Sequence, residues 1–531
     1  MNGTTRGTLA RDPLLGAGNV IERLLAHGVP PEDPALTFDT SADSHSEGTH
    51  ELSLGELDRL VAVRAAWLHG HGIRPRDVIV VCSRRAVDYV LTYFAANRIG
   101  AIPAFVNYLL DEETRTAYVR GLGPSLVLVE RDQLASWAQH DIGTPSLRAL
   151  EECADGDPTR TIAPYCHHAD DPVAITHSSG TTGMPKAVIS THSSLFAGLR
   201  HWLTLPRAQG SERMLSALPM HNSMIAAVLS ALCNRSAFLQ LSTQDGTSVL
   251  EAIEAWQPHG VYGFPKTWVD LLSLNPSPSR LRSVRAWWNT GDSAHEPHIR
   301  ALVAFGQRQQ ATAHGRHTVE GSLFIDGFGS SEMGHSQFSI THHQDTDHYN
   351  RCIGRPHAFT EVRVLDPEGN PLPDGSVGQL AICSPTLSPG YWNDSAKTYQ
   401  ARSDGFFLTG DLGYRDSGGY YYHVDRVADA LDRADGTRIY TTVIEEQILA
   451  ACPAVLDCSA VVSHADGEYH TEILLRLQPS AYSDIELDYE THILGVLDPS
   501  AARTVRQVSV VPPDKIPVGT TGKVRKFTLR A

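Results

Sequence analysis

Residues 176 to 186 read Thr176-His-Ser-Ser-Gly-Thr-Thr-Gly-Met-Pro-Lys186, between the apolar runs PVAIT and AVIS. The glycines let the backbone turn tightly and approach a ligand, the hydroxyl side chains supply donors, and Lys186 supplies a point charge. A flexible Ser/Gly linker would explain the small residues, but not Pro185-Lys186 or the flanking strands. The GxxxxGK[ST] spacing of a Walker loop is absent. We therefore predict a different polyphosphate loop, formed by Ser178, Ser179, Gly180, Thr181, Thr182, Gly183 and Lys186.

Composition excludes several broad classes of protein. The 531 residues are 41% hydrophobic and carry a formal net charge of -16, so we expect neither a nucleic-acid nor an anionic-membrane partner. The eight cysteines are scattered without a CxxC pair, which is typical of reduced thiols. No segment approaches the ~20 apolar residues of a membrane helix, and the first residues do not resemble a signal peptide. We expect a cytoplasmic protein whose anionic ligands are held by a local site.

The pattern of apolar runs predicts an α/β fold with more than one domain. VIVVC at 78 to 82, LVLV at 126 to 129 and PVAITH at 172 to 177 fit buried strands, and Ala86 to Ile99 fits a helix. From about residue 361, short β-rich runs alternate with turn residues and predict a β subdomain. We expect a flexible tail at 1–20, a large α/β domain at 21–425 and a small α+β domain at 426–531.

The string SSGTTGMPKAV resembles the phosphate loop of the adenylate-forming superfamily, which contains acyl- and aryl-CoA synthetases, peptide-synthetase adenylation domains and firefly-type luciferases. Further motifs follow in that family's order across roughly residues 50 to 531. The resemblance implies a ligase that uses ATP and Mg²⁺ to convert an acid into its adenylate. It also implies that Thr181 and Lys186 act on the phosphates during catalysis.

Three segments resemble the family's adenine and acyl pocket. Leu218-Pro-Met-His-Asn222 places His221 beside the acyl group, although a lone histidine is more often structural. Asn289-Thr-Gly-Asp-Ser293 matches the strand end that flanks adenine, and its Asp292 departs from the usual small apolar residue. The third segment is Asp326-Gly-Phe-Gly-Ser-Ser-Glu332. The resemblance assigns Phe328 to adenine stacking, Asp326 to the adenine amine, Ser331 to the α-phosphate and Glu332 to Mg²⁺. We also expect Phe264, Asn289, Gly291 and Gly327 to line the substrate pocket, although core packing is the commoner fate of an aromatic side chain such as Phe264.

Three later segments resemble the ribose, hinge and catalytic-lysine motifs. Phe407-Leu-Thr-Gly-Asp411 implies that Asp411 accepts the ribose hydroxyls, and Arg426 is implied to contact ribose or phosphate. Asp429 is implied to be the hinge on which a mobile C-terminal domain rotates between two half-reactions. Val518-Gly-Thr-Thr-Gly-Lys523 implies that Lys523 bridges the attacking acid and the α-phosphate. Taken alone, Lys523 would be a solvated surface lysine.

The acceptor of the activated group stays open at this point. The hinge segment departs from the family's motif at four positions. Asp425 stands in place of a glycine, Ala428 in place of an aspartate and Asp432 in place of a lysine, and Val443 stands where a glutamate is common. This segment lines the thioester-forming site of relatives. The departures therefore weaken the prediction that CoA is the acceptor, and they leave the prediction of adenylation unchanged. We expect an aryl or acyl carboxylate and CoA. The alternatives are a carrier protein or amine as acceptor, including activation of nitrite for an aryl amine, and, from other classes, a silent binding relative or a luciferase-like oxygenase.

Overall fold

The computed structural model of the protein describes residues 3–40, 47–144, 146–178, 184–219, 222–312, 315–433, 438–465, 468–483, 488–512 and Lys526. The helices are α1 (Gly3–Arg11), α2 (Val20–Ala26), α3 (Leu54–Gly70), α4 (Ala86–Arg98), α5 (Glu112–Leu122), α6 (Leu134–Trp137), α7 (Ser194–Thr204), α8 (Asn222–Asn234), α9 (Gly246–Trp256), α10 (Pro265–Ser273), α11 (Glu296–Val303), α12 (Ser395–Gln400), α13 (Thr441–Ala451), α14 (Tyr489–Val496) and α15 (Pro499–Ala502).

The strands are β1 (Pro34–Thr40), β2 (Glu47–Ser53), β3 (Val78–Cys82), β4 (Ile102–Phe105), β5 (Leu126–Val129), β6 (Leu147–Ala149), β7 (Pro172–His177), β8 (Ala187–Thr191), β9 (Arg213–Ser216), β10 (Ala237–Gln240), β11 (Gly260–Gly263), β12 (Ala286–Thr290), β13 (Gln307–Thr312), β14 (Gly315–Glu320), β15 (Leu323–Phe328), β16 (Phe338–His342), β17 (Cys352–Pro356), β18 (Glu361–Leu365), β19 (Gly378–Cys383), β20 (Arg402–Ser403), β21 (Phe406–Arg415), β22 (Tyr421–Arg426), β23 (Leu431–Asp432), β24 (Arg438–Ile439), β25 (Val455–Ala465), β26 (Glu468–Leu477) and β27 (Val505–Val510). The strands and the helix predicted at 78–99, 126–129 and 172–177 are confirmed.

Two sheets form the large α/β body. The first has the order β6-β5-β3-β4-β7-β8 and is parallel except for the final β7–β8 hairpin. The second contains the parallel series β1-β10-β9-β11-β12-β15. Strand β3 is buried at every position because helices and neighbouring strands cover it, as a continuous apolar run requires. The α/β fold class is confirmed.

The β-rich region after residue 352 continues the second sheet. Strands β18, β19, β21 and β22 are antiparallel, and β17 joins them to β16 at the edge of the parallel series. A small α+β unit follows, in which α13 and α14 pack on the sheet β25-β26-β27 around a separate apolar core. Among the helices described, none is long and apolar enough to cross a bilayer.

The predicted flexible tail is wrong for residues 3–20, the part of it that the structure describes. Leu9 and Val20 are fully buried in the main core, and Leu15 is 2% exposed. Helix α1 packs against α7, and the Arg200 guanidinium donates hydrogen bonds to the carbonyls of Ala10 at 2.9 Å and Asp12 at 2.8 Å. The apolar residues of this segment are too few to produce a sustained period, so only the long-range contacts reveal that it is ordered.

Candidate active site

A cleft of about 550 Å³ opens where parallel strands of the second sheet end. The segments that follow β11 and β12 and the end of β15 line it, beside one face of α8. Ligands of α/β proteins bind outside the carboxyl ends of parallel strands, and a volume of roughly 300–1,000 Å³ suits a small organic ligand. The C-terminal unit closes one side of the same cleft, through residues of α13 and β25.

The predicted phosphate loop connects β7 to β8. The Ser178 N–H group donates to the Lys186 carbonyl at 3.0 Å, and the Lys186 N–H group donates to Ser178 Oγ at 3.1 Å. These two bonds fix both ends of the loop above the hairpin. The intervening Ser179, Gly180, Thr181, Thr182 and Gly183 lie outside the described residues, so their roles stay predictions.

Lys186 and Glu332, which are far apart in sequence, meet at Tyr391. The Lys186 ammonium lies 5.3 Å from the centre of the Tyr391 ring, and the Tyr391 hydroxyl donates to Glu332 Oε1 at 3.1 Å. Burial, reinforced by the Glu332 charge, raises the pKa of Tyr391, so the phenol stays protonated and continues to donate. The arrangement places a cation and a carboxylate on the same wall of the cleft, as a Mg²⁺-polyphosphate complex requires.

Asp326 is 3% exposed at the end of β15. Asn289 Nδ2 donates to its Oδ1 at 2.7 Å, and the Ala294 N–H group donates to its Oδ2 at 3.3 Å. Burial raises the pKa of Asp326 to about 7, although these hydrogen bonds and the Arg351 charge oppose the shift. The Asn289 side chain, predicted for the substrate pocket, therefore also orients Asp326.

Two glycines bring the backbone close to the cleft wall. Gly291 has a φ of +86°, and a Cβ atom there would lie 2.8 Å from the ring of Phe264. A Cβ atom on Gly327 would lie 2.6 Å from Ser336 Oγ. Larger residues at either position would have to displace these side chains, so both glycines keep the cleft open.

The predicted ribose motif contributes to a polar cluster where β21 pairs with the end of β22. Arg426 Nη1 lies 3.1 Å from Asp411 Oδ1, and His423 Nε2 lies 3.6 Å from the same oxygen. The Asp411 charge raises the pKa of Arg426. Phe328 packs against His423 with ring centres 5.2 Å apart, which leaves adenine stacking by Phe328 a prediction.

The end of the chain reaches the cleft through Lys526. Lys526 Nζ donates to Thr441 Oγ1 at 2.8 Å and pairs with Glu445 Oε1 at 2.7 Å. Burial lowers the pKa of Lys526, but the Glu445 and Asp425 carboxylates shift it further in the opposite direction, so the net change is upward. Lys523 lies outside the described residues, three positions before this anchored lysine.

Buried contacts join the small C-terminal unit to the large body. His295 Nδ1 lies 2.5 Å from Glu446 Oε2, and the Glu296 N–H group donates to Glu446 Oε1 at 2.9 Å. Burial acts to lower the pKa of His295, but the Glu446 charge outweighs it, so the pKa of His295 is raised. Burial acts to raise the pKa of Glu446, but the His295 charge and hydrogen bond outweigh it and lower that pKa to about 2. Arg476 pairs with Asp270 at 3.0 Å in a second contact.

Comparisons with known proteins identify the family. The model of the AMP-binding enzyme family matches residues 26–392. This chain belongs to that family. It is 37% identical to a 3-aminoavenalumate diazotase of Streptomyces sp over 99% of this chain and 97% of the relative. It is 26% identical to a feruloyl-CoA synthase of Amycolatopsis sp over 91% of this chain and 94% of that protein.

Solved structures agree on the fold. The ATP-bound crystal structure of MatB from Rhodopseudomonas palustris superposes with a TM-score of 0.79 at 24% identity, and covers 97% of this chain and 98% of that chain. The predicted superfamily is therefore confirmed, and the chain is an AMP-forming ligase that uses ATP.

The structure brings most predicted site residues of this AMP-binding enzyme to one cleft. The lining includes Ser178, Lys186, Phe264, Asn289, Gly291, Gly327, Phe328, Ser331, Glu332, Asp411, Arg426 and Asp429. His221 lies outside the described residues. The sequence prediction missed Arg6, Arg207, Arg351 and Lys526, which also line the cleft. Of these, only Lys526 had a local signal, its position three residues after Lys523.

Proposed function

We propose that this ligase is a diazotase, which activates nitrite with ATP and transfers the nitrosyl group to an aryl amine. The observation that carries the proposal is the difference in similarity between two kinds of relative. The diazotase is 37% identical over nearly the whole chain, whereas the feruloyl-, 3-hydroxybenzoate- and benzoate-CoA ligases are 26–27% identical. The sequence alone placed CoA first among acceptors, and this difference moves the aryl amine ahead of it.

The contacts of Asp425 support an acceptor other than CoA. This residue departs from the glycine of the hinge motif, and it is fully buried. Its carboxylate accepts hydrogen bonds from the Thr441 N–H group and from Thr441 Oγ1 at 3.0 Å, and its charge contributes to the raised pKa of Lys526. The segment that corresponds to the thioester-forming site of relatives is thus held by internal contacts of Asp425.

The proposed reaction consists of two displacements. A nitrite oxygen attacks the α-phosphorus, pyrophosphate leaves, and a nitrosyl adenylate forms. The aryl amine nitrogen then attacks the nitrosyl nitrogen, the N–O bond to AMP breaks with its electrons going to AMP, and the amine loses a proton. The resulting nitrosamine takes up one proton and loses water to give the diazonium ion. Nitrite supplies the oxidised nitrogen, so no further oxidant is needed.

The residues of the cleft fit the first displacement. The chief barrier is repulsion between an anionic nucleophile and the triphosphate. Lys186 and the loop that starts at Ser178 would stabilise the departing pyrophosphate, and Lys523 would bridge nitrite and the α-phosphate. Glu332 would hold Mg²⁺, which neutralises phosphate charge; a single carboxylate suits this ion because phosphate oxygens and water complete its coordination. Asp411 and Arg426 would hold the ribose.

A CoA ligase for an aryl acid is the second candidate. It is favoured by the aryl-CoA ligases among the relatives, which match 87–91% of this chain. The two functions predict different small substrates for the same adenylation step. Nitrite needs almost none of the cleft, so a diazotase would leave the volume beside α8 to the amine, whereas a CoA ligase would fill it with the acid.

The experiment is a product assay at pH 8, where uncatalysed diazotisation is slow. The purified protein is incubated with ATP, Mg²⁺, ¹⁵N-nitrite and an aryl amine, and pyrophosphate release and the azo-coupled product are measured. We expect pyrophosphate release that depends on nitrite and a ¹⁵N label in the azo dye, and loss of both in Glu332→Gln. Parallel reactions contain CoA with feruloyl- or benzoate-type acids. Acid-dependent thioester formation without any response to nitrite would refute the diazotase and establish the second candidate.

A further inference from the structure

Two arginines line the cleft beside the C-terminal end of α8, where Arg207 contacts Ser236. Arg6 comes from α1 and Arg207 from the segment after α7, and both line the cleft. Within the described part of the chain, neither guanidinium has a carboxylate oxygen within 4.0 Å. A half-buried guanidinium is normally paired, because burying an unpaired charge is costly. Two such groups at one end of a ligand cleft therefore need an explanation.

The hydrogen bonds of both arginines leave part of each guanidinium unused. Arg6 Nη2 donates to the Trp202 carbonyl at 2.8 Å. Arg207 Nη2 donates to Ser236 Oγ at 2.7 Å and to the Ser211 carbonyl at 3.2 Å. The Nε atoms of both arginines, and Asn234 Oδ1 nearby on the cleft wall, are buried without a partner among the described residues. The existing bonds orient the two guanidiniums but do not neutralise them.

The local charges also leave room for an anion. Burial lowers the pKa of Arg6, and the Arg207 charge lowers it further, which is the effect of two close cations. Burial lowers the pKa of Arg207, and the Glu212 carboxylate opposes this shift. Glu212 does not form an ion pair with Arg207; its carboxylate lies 3.5 Å from His259 Nδ1. A carboxylate placed between the arginines would relieve their repulsion.

One face of α8 lines the cleft along most of the length of the helix. Ser223, Ala226, Ala227, Ser230 and Asn234 line the cleft at helical spacing. The eleven steps of the helix from Ser223 to Asn234 correspond to about 16 Å along the helix axis. The small side chains leave room along the helix, and the lining of the same cleft also includes the aromatic side chains of Trp202, Tyr262 and Trp288.

We propose that Arg6 and Arg207 form a carboxylate-binding subsite, so that the acceptor of this enzyme is an elongated aryl amine with a carboxylate at the end opposite its amine. The inference rests on the proposed function. The arginines hold the carboxylate, the aromatic wall holds the ring, and the amine is directed along α8 toward the adenylate. The alternative is that the arginines only hold α1 and the 206–211 segment against the rest of the protein. In that case, ligands with and without a carboxylate should bind equally well.

The test measures binding by calorimetry with two matched probes, 5-(3-aminophenyl)penta-2,4-dienoate and its primary amide. A hydrogen-bonded charge contributes on the order of 10- to 100-fold in affinity, so we expect the acid to bind at least tenfold more tightly than the amide. Arg207→Met and Arg6→Met should each weaken the acid at least tenfold and leave the amide unchanged, and Arg207→Lys should retain part of the preference. The shorter 3-aminobenzoate should bind more weakly than the dienoate.

Arg213→Met is the matched control, because Arg213 lies on β9 in the same body, packs over Trp256 and does not line the cleft. It should change neither ligand's affinity. Equal binding of acid and amide to the unaltered enzyme would overturn the subsite, even if the variants fail to fold. Equal weakening of both probes by Arg6→Met and Arg207→Met would overturn it in favour of the structural alternative. Nitrite-dependent pyrophosphate release is measured separately, so failure of the proposed function can be distinguished from failure of the subsite.

Discussion

The Lys526→Met substitution removes the ammonium group that lies between Glu445 and Thr441. The Lys526 and Glu445 side chains are 12% and 7% exposed, so the Glu445 carboxylate would stay buried without its cation. Removing one partner of a buried ion pair costs about 3–5 kcal/mol. We expect the lower end of this range, since Glu445 Oε1 keeps its hydrogen bond from the Ala460 N–H group at 2.9 Å.

Hydrogen exchange measured by mass spectrometry reports this loss locally, which suits a protein whose domains need not unfold together. A loss of about 3 kcal/mol corresponds to faster exchange by two powers of ten in α13 and β25, with β3 as an unaffected reference. The raised pKa of Lys526 means that its stabilisation is present below its ordinary pKa and is lost only as the pH rises through the raised value. The effect should therefore be the same at pH 6 and pH 8.

A double-mutant cycle with Glu445→Met tests the physical reason. If the cost of Lys526→Met comes from leaving the Glu445 carboxylate buried without its cation, removing that carboxylate as well should restore part of the protection from hydrogen exchange. The restoration should be incomplete, because the Ala460 N–H group also loses its acceptor. Pyrophosphate release should fall in the single variant because Lys523 is three residues upstream of the anchor. Additive single effects, within about 0.5 kcal/mol, would refute the reasoning.

Three further predictions concern the site and the domain interface. Lys523→Ala should largely abolish adenylation while sparing transfer from supplied adenylate, and equal loss of both steps in separate assays would contradict two domain arrangements. Asp326 is predicted to accept a hydrogen bond from the adenine amine, and burial raises its pKa to about 7. ATP should therefore bind up to about tenfold more tightly at pH 8, where the carboxylate is formed, than at pH 6. In Asp326→Asn, the ATP affinity measured by calorimetry should not change with pH. Glu446 raises the pKa of His295, and His295 lowers the pKa of Glu446 to about 2. The stabilisation from the pair is therefore fully present between the ordinary pKa values of the two groups, and it is lost as the pH rises through the raised pKa of His295. Glu446→Gln should thus lower the melting temperature more at pH 6 than at pH 9, and an equal decrease at both would count against the pair.

The elements of the fold were largely readable from local sequence. The run at 78–82 became β3 and the region from Ala86 became α4, because a short apolar run bounded by turn residues has few alternatives to a buried strand. The N-terminal helix could not be predicted from local sequence, because its buried side chains are isolated along the chain and are buried only by packing against α7. The predicted boundary at 425–426 stays a prediction, as does rotation about Asp429.

The sequence by itself determined the family, the α/β class and the order of the predicted nucleotide-binding motifs, because the residues of each motif lie close together along the chain. Only the tertiary structure decided that Lys186 meets Glu332 through Tyr391, that Lys526 is buried beside Glu445, and that Arg6 lies at the same end of the cleft as Arg207. The physical reason is that spacing encodes local geometry, whereas charged groups that are distant along the chain are brought together by packing of the whole body.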